Sequence, residues 1–241
     1  MSDARASFDQ HSLRVWEFFD QRADGCFVEI GANHPTQFSQ TWLLETKGWS
    51  GVLVEPNPEL CQALRAQRPR SRTFQAAVGS PGMVGEMDLF LGMSDQHSTL
   101  APERGDPVTG AKVRVPVRTL DSILAEASLD KIDFLSIDVE GLELEVLQGL
   151  SLNKFSPRLI LIEDKRHSFK KFFYLRRHGY RLVKRTDQND WYVPRGSPET
   201  LRSMTTWPER LRLWRKMWLN APCDIAYKWL RNLVRRALGR R

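Results

Sequence analysis

The chain has 241 residues, of which 41% are hydrophobic and 27% are charged, a composition that excludes disordered and collagen-like classes. Its three cysteines, which are Cys26, Cys61 and Cys223, are too few and too far apart for a disulfide framework or a paired zinc site. No stretch approaches the roughly 18 apolar residues of a membrane-spanning helix, and the N-terminal segment lacks the pattern of a secretion signal, so we expect a cytoplasmic protein.

The net charge of +7 is unevenly distributed along the chain. Residues 1–194 contain 24 basic and 26 acidic residues, whereas residues 195–241 contain 12 basic and 3 acidic ones. The change falls at Pro194, Gly196 and Pro198, residue types that interrupt regular structure. The sequence therefore predicts a near-neutral globular domain over 1–194 and a basic tail over 195–241.

The domain alternates short apolar runs with amphipathic stretches, which is the pattern of parallel strands connected by crossover helices. A covering helix comes first, because Leu13, Trp16 and Phe19 recur at helical spacing. Two further helices are predicted at residues 38–47 and 58–67. The strands predicted for the centre of the sheet are residues 26–30, 51–55, 73–78, 132–137 and 159–163.

Two further pairs of strands are predicted beside that central sheet. Residues 180–184 and 190–193 flank a polar turn, so they are expected to form an antiparallel hairpin at one edge. Residues 86–91 and 112–117 are expected to pair in a smaller insertion. The resulting fold class is α/β, with a mostly parallel sheet.

The first strand ends in a turn of small residues, Gly31 and Ala32, which lets the backbone approach a ligand closely. The turn lacks the other glycines of GxGxxG, so a nicotinamide dinucleotide is a poor candidate. Glu55 ends the second strand about 25 residues later, where a carboxylate can accept both hydroxyls of a ribose. These features indicate a nucleoside-containing cofactor, with a plain tight turn and a helix-capping acid as the alternative.

A cluster of carboxylates follows the strand at 132–137. Glu143 and Glu145 fall in the first turn of the next helix, where negative charge complements the helix dipole. Asp138 directly follows the buried apolar run and lies at the carboxyl edge of the sheet, where ligands of such sheets bind. We therefore interpret Asp138 as a functional residue.

Four segments resemble the FkbM-type family of S-adenosylmethionine-dependent methyltransferases. They are FVEIGAN at 27–33, VEPNP at 54–58, VRTLDSIL at 117–124 and IDFLSIDVEGLELEVLQGL at 132–150. The resemblance implies a Rossmann-like seven-stranded methyltransferase sheet with S-adenosyl-L-methionine as the cofactor.

The resemblance also implies cofactor contacts for ten residues, which are Glu29, Gly31, Ala32, Asn33, Glu55, Pro56, Asn57, Ala77, Val78 and Asp138. The first four would line the methionine end, Glu55 would hold the ribose hydroxyls, and Asp138 would lie near the sulfonium. The residues that follow the third strand would border the adenine. The chain has His34-Pro35 where family members often have a second glycine, which places His34 where it could face the substrate.

The implied reaction is methyl transfer to an oxygen, most simply a hydroxyl of a glycan or a glycolipid precursor. A hydroxyl is a weak nucleophile, so a general base or a metal ion is expected beside it. His167 and His97 are the candidate bases, with a merely solvated loop histidine as the alternative for each. Asp138 together with Glu163 or Asp164 would instead suit Mg²⁺.

The tail contains four of the eight tryptophans, interleaved with arginines. Two amphipathic helices are predicted, each beginning near a proline, Pro208 and Pro222. Residues 200–241 would dock to an anionic membrane surface at the cytosolic leaflet, or would pack on the domain with a solvated basic face. Nucleic acid is a poorer candidate, because no groove-reading motif is present. A non-catalytic scaffold that uses this tail for binding is the alternative to an enzyme.

Overall fold

The computed structural model describes residues 10–92, 98–100, 102, 108–164, 169–186 and 188–197. Its strands are β1 (Cys26–Ile30), β2 (Ser50–Glu55), β3 (Ser71–Gln75), β4 (Ala77–Val78), β5 (Gly85–Gly92), β6 (Val108–Arg118), β7 (Phe134–Ile137), β8 (Leu159–Glu163), β9 (Tyr180–Thr186) and β10 (Asn189–Pro194). Its helices are α1 (Gln10–Phe18), α2 (Trp42–Thr46), α3 (Pro58–Gln67), α4 (Leu120–Glu126), α5 (Glu143–Gln148), α6 (Leu152–Phe155) and α7 (Phe169–Arg177). A short 3-10 helix lies at Pro81–Met83.

Seven strands form the main sheet in the order β3-β2-β1-β7-β8-β10-β9. The first five are parallel, and β10 and β9 form an antiparallel hairpin at one edge. The predicted α/β class with a mostly parallel sheet is therefore confirmed. Strands β2 and β3 follow β1 towards one edge of the sheet, and β8 follows β7 towards the other edge. The direction in which successive strands are added therefore reverses between β1 and β7. In open α/β sheets, ligands bind outside the carboxyl ends of the strands at such a reversal.

Helices cover both faces of this sheet, which explains its almost wholly apolar central strands. Because side chains alternate along a strand, Val28 and Ile30 of β1 pack in one core with residues of α4, α5 and α7. Phe27 packs in the other core with residues of α1, α2 and α3. All four residues of β7 are buried.

The smaller sheet has the order β4-β6-β5, and its antiparallel β5–β6 pair confirms the predicted insertion. It begins immediately after β3, because the chain leaves the main sheet at Ala76. The strand predicted at 73–78 is therefore two strands in two sheets, and this part of the prediction was wrong. The expectation that it would be central was also wrong, since β3 is an edge strand.

Two helix predictions differ from the structure in detail. The helix predicted at 38–47 covers only Trp42–Thr46, because residues 34–41 form a loop fixed by buried polar contacts. The buried apolar residues of α1 are Val15 and Phe18, followed by Phe19, whereas Leu13 is 40% exposed. No helix among the described residues is long and apolar enough to cross a membrane.

Candidate functional site

A cavity of about 380 Å³ opens at the carboxyl ends of β1, β2 and β7. Nine of the ten predicted cofactor residues line it, namely Glu29, Gly31, Ala32, Asn33, Glu55, Pro56, Ala77, Val78 and Asp138. The tenth, Asn57, is not among the lining residues, because its side chain accepts a hydrogen bond from the Glu59 amide at 3.0 Å and caps α3. Glu55 and Asp138, which come from different strands, thus open onto one cavity.

The turn after β1 is held against the neighbouring strands by its backbone. Gly31 adopts a φ of +75°, and a Cβ atom there would lie 1.8 Å from the carbonyl oxygen of Asp138. Both Gly31 and Ala32 donate their amides to the Val54 carbonyl, at 2.9 and 3.1 Å. Glycine is therefore required here by the close approach of β7 as well as by the left-handed backbone.

Glu55 is buried, with 5% of its surface exposed, and its carboxylate is fixed from both sides by backbone amides. Asn33 donates to Oε2 and Asn57 donates to Oε1, each at 2.9 Å. A carboxylate has about four acceptor positions, and these two bonds fix its orientation in a residue that lines the cavity.

The Glu29 carboxylate lies on the α2–α3 side of the sheet, because the alternation of β1 places it on the face of Phe27. It accepts hydrogen bonds from the Gln40 amide at 2.8 Å and from the hydroxyls of Ser39 and Thr41 at 3.1 and 2.5 Å. Burial raises the pKa of Glu29, while Arg68 and these hydrogen bonds oppose the rise. Glu29 therefore fixes the loop that borders the cavity.

Asp138 lies beside two other carboxylates, those of Glu140 and Glu163. One oxygen from each can be chosen so that all three lie within 4.8 Å of one another. Of the two partners predicted for Asp138, the structure brings Glu163 to it. The prediction of Asp164 at this place was wrong, because consecutive residues of an extended chain point to opposite sides and the Asp164 carboxylate pairs with Lys171 at 3.0 Å.

Lys171 is the centre of a buried ionic group beneath this acidic rim. Its ammonium also contacts Glu143 at 2.9 Å and donates to the Glu163 carbonyl at 3.0 Å. Burial disfavours the charged form, but Glu143 and Asp164 outweigh it and hold the pKa of Lys171 above its ordinary value. Glu143, which the sequence assigned to the helix dipole, thus joins α5 to α7 at the edge of the site.

Sequence reasoning missed three parts of the cavity wall. They are Gln37, Phe38 and Gln40 from the loop before α2, Ser98 to Leu100 from the insertion, and Gln188 with Asn189 from the edge hairpin. The insertion reaches the site because Thr99 pairs with Phe90 and donates its hydroxyl to the Glu140 carbonyl at 3.3 Å. No local signal marks these residues, since each depends on how distant segments pack.

The histidines predicted near the substrate do not complete the site in the described structure. His97 and His167 lie outside the described residues, as does the tail at 200–241. His34 is not among the lining residues. Its Nδ1 instead accepts the amides of Thr36 and Gln37 at 3.2 and 3.0 Å, so the suggestion that it could face the substrate gains no support from the cavity.

The electrostatics of the cavity are one-sided. Five of its lining residues are acidic, namely Glu29, Glu55, Asp138, Glu140 and Glu163, and none of its described lining residues is Lys, Arg or His. Pro56, Ala77 and Val78 supply an apolar wall near Glu55. The volume falls within the range of small-molecule sites, and the acidic lining residues favour a ligand that carries positive charge.

Comparisons with known proteins found one matching family and several similar proteins. Residues 29–182 match the family described as methyltransferase FkbM domain. A curated relative, the AMB antimetabolite synthetase AmbE of Pseudomonas aeruginosa, is 32% identical over 111 residues, which are 39% of this chain and 5% of that protein. The chain thus corresponds to a small part of that relative's length.

Two solved structures show more distant likeness. The METTL16 MTase domain is 10% identical with a TM-score of 0.47, over 78% of this chain and 67% of that one. The precorrin-6y C5,15-methyltransferase of Geobacter metallireducens is 12% identical with a TM-score of 0.39, over 80% of this chain and 91% of that one.

Proposed function

The chain belongs to the methyltransferase FkbM domain family, and from this membership we propose that it is an S-adenosylmethionine-dependent methyltransferase acting on a hydroxyl oxygen of a glycan or glycolipid precursor. The observation that carries the proposal is that Glu55 and Asp138, together with the Gly31 turn, open onto one cavity. A ribose acceptor and an acidic group that attracts a cation are thereby within reach of a single ligand.

The residues present fit the cofactor in three respects. The buried carboxylate of Glu55 is oriented by two backbone amides to accept ribose hydroxyls. Ala77 and Val78 offer an apolar wall for an adenine ring. Asp138 and its neighbouring carboxylates supply the negative charge that favours a sulfonium.

When bound, S-adenosylmethionine supplies an electrophilic methyl group: a C–O bond forms to the acceptor oxygen, the C–S bond breaks, and its electron pair stays on sulfur. The protein's part is to hold the acceptor oxygen in line with that bond and to exclude water. The acceptor's proton must leave as the bond forms. Among the described residues that line the cavity, Asp138, Glu140 and Glu163 carry the carboxylates that would receive it.

Several predictions on this reaction stay predictions. His97 and His167 remain candidate bases, and Mg²⁺ held by the acidic residues remains the alternative to a base. Docking of residues 200–241 to an anionic membrane, at the cytosolic face, would bring the domain to a glycolipid precursor. The support for the tail is its charge and its tryptophans.

The cofactor half of the proposal is tested by calorimetry with S-adenosylmethionine on the wild type, Glu55→Gln and Glu59→Gln. Glu59 is the matched control, because it is an exposed glutamate on the same segment that does not line the cavity. Two charge-assisted hydrogen bonds of at least about 1.5 kcal/mol each predict that Glu55→Gln weakens binding roughly 100-fold. Glu59→Gln should bind like the wild type.

A wild type that shows no binding at millimolar S-adenosylmethionine would favour the non-catalytic scaffold instead. The acceptor half is tested by mass spectrometry of cell-envelope glycans from cells with the wild-type chain and cells with Glu55→Gln. The proposal expects the mass of one additional methyl group on a glycan in the first cells. Identical glycan masses in both would rule out glycan methylation while leaving the cofactor result intact.

A further inference from the structure

The loop of residues 34–41, which borders the cavity, is fixed from below by a fully buried arginine, Arg68. One terminal nitrogen of its guanidinium donates to the Pro35 carbonyl at 3.0 Å and to the Ser39 hydroxyl at 3.1 Å. The other donates to the Thr41 hydroxyl at 2.8 Å. Arg68 thus holds both ends of the segment that lies between Pro35 and Thr41.

A second set of contacts anchors the same segment to the sheet. Glu29 of β1 accepts the Gln40 amide and the hydroxyls of Ser39 and Thr41. Ser39 and Thr41 therefore each bind a buried carboxylate on one side and Arg68 on the other. Because Ser39 and Thr41 are each bound from two sides, the backbone of the segment has little freedom to relax.

Phe38 lies in the middle of this held segment and has two unfavourable properties. Its φ is +60°, a left-handed conformation that a bulky aromatic residue rarely adopts. Its side chain is 71% exposed, although it lines the cavity beside Gln37 and Gln40. Backbone strain retained by the surrounding structure is characteristic of ligand-binding sites. An exposed aromatic ring beside a cavity also offers apolar surface that a bound ligand can cover.

We propose that Phe38 contacts the bound cofactor, its ring closing the cavity over the methionine end of S-adenosylmethionine; this rests on the function proposed above. The segment follows directly from the Gly31–Asn33 turn and shares a wall with Glu29, which assigns Phe38 to the cofactor side. The described lining residues carry five carboxylates and no basic group. An aromatic face beside them adds favourable interaction with a cationic ligand and removes water from it.

The left-handed backbone of Phe38 provides a test of this proposal. Phe38→Gly removes the ring and also relieves the left-handed backbone, so it should raise the melting temperature while weakening S-adenosylmethionine binding about tenfold. Phe38→Tyr keeps the ring and should bind within twofold of the wild type. Ser128→Gly is the matched control, since Ser128 has a φ of 55°, is exposed and lies away from the cavity. It should raise the melting temperature without changing affinity.

The outcomes separate the two proposals. A wild type that binds S-adenosylmethionine and a Phe38→Gly variant that binds it equally well would overturn the role of Phe38 and leave the proposed function standing. Loss of affinity together with a lower melting temperature would also overturn it, because the ring would then be structural. A wild type that does not bind the cofactor overturns both.

Discussion

Replacing Arg68 by methionine tests how the loop of residues 34–41 is built. The substitution keeps a long side chain but removes the guanidinium, whose Nε donates to the Glu45 carboxylate at 2.6 Å. Glu45 keeps bonds from the Ser71 hydroxyl at 2.5 Å and the Arg70 amide at 3.0 Å. Its negative charge is nevertheless left buried without the guanidinium.

The size of the effect follows from burial. Arg68 is 0% exposed, and Glu29 and Glu45 are each 4% exposed, so solvent cannot compensate either carboxylate. Removing one partner of a buried ion pair destabilises by about 3–5 kcal/mol. For a domain of this size, that corresponds to a fall in melting temperature of roughly 6–20 °C.

The assay is thermal unfolding of Arg68→Met beside Arg65→Met, an exposed arginine in the last turn of the same helix. The control should stay within about 0.5 kcal/mol of the wild type. The double variant Arg68→Met with Glu45→Gln should recover part of the loss, since the unpaired charge is then gone. Equal stability of Arg68→Met and Arg65→Met would refute the reasoning that Arg68 holds this loop.

Two further predictions concern the turn beside the cavity and the acid stability of the fold. Gly31→Ala should abolish folding or lower the melting temperature severely, because its Cβ would overlap the Asp138 carbonyl. Gly82→Ala is the control and should be tolerated, because its Cβ would have no atom within 4 Å. Circular dichroism on heating compares the two variants, and a stable Gly31→Ala protein would contradict the geometry. Burial tends to raise the pKa of Asp133, but the ion pair with Arg22 at 2.9 Å and other contacts hold it below its ordinary 3.8. A lowered carboxyl pKa contributes stability above 3.8 that is lost as the pH falls through the folded value, so Asp133→Asn should be less stable than the wild type at pH 7, with the difference shrinking below about pH 4. If urea unfolding gives the same difference in stability between wild type and Asp133→Asn at pH 7 and below about pH 4, the charge of Asp133 is not involved.

The arrangement of charge explains why the site can remain acidic. Beneath the rim, Lys171 forms ion pairs with Glu143 and Asp164, and beneath the loop Arg68 forms an ion pair with Glu45. The positive charges thus serve the carboxylates of the framework, and the described lining residues of the cavity carry none. A cationic ligand would offset the negative charge of the acidic residues that line the cavity.

Short-range signals in the sequence determined the elements and the chemistry at their ends. The strands at 26–30 and 159–163 were predicted to the residue, because apolar runs bounded by polar residues mark buried strands. The helix Pro58–Gln67 was predicted as well, since a proline at its first turn is a local signal, whereas the capping role of Asn57 was found only in the structure. The glycine turn, Glu55 and Asp138 could be chosen because each directly follows such a run.

Only the tertiary structure decided which of these groups share a space. Strand order brings β1 and β7 together across more than 100 residues of sequence, and no periodicity encodes that order. Glu29 turns towards α2 and α3, and Glu163 rather than its neighbour Asp164 joins Asp138, because the pleat and the packing of each helix select the side. Residues 38–41 form a loop in which Arg68, some 30 residues later, binds the hydroxyls of Ser39 and Thr41, a contact that no local pattern encodes.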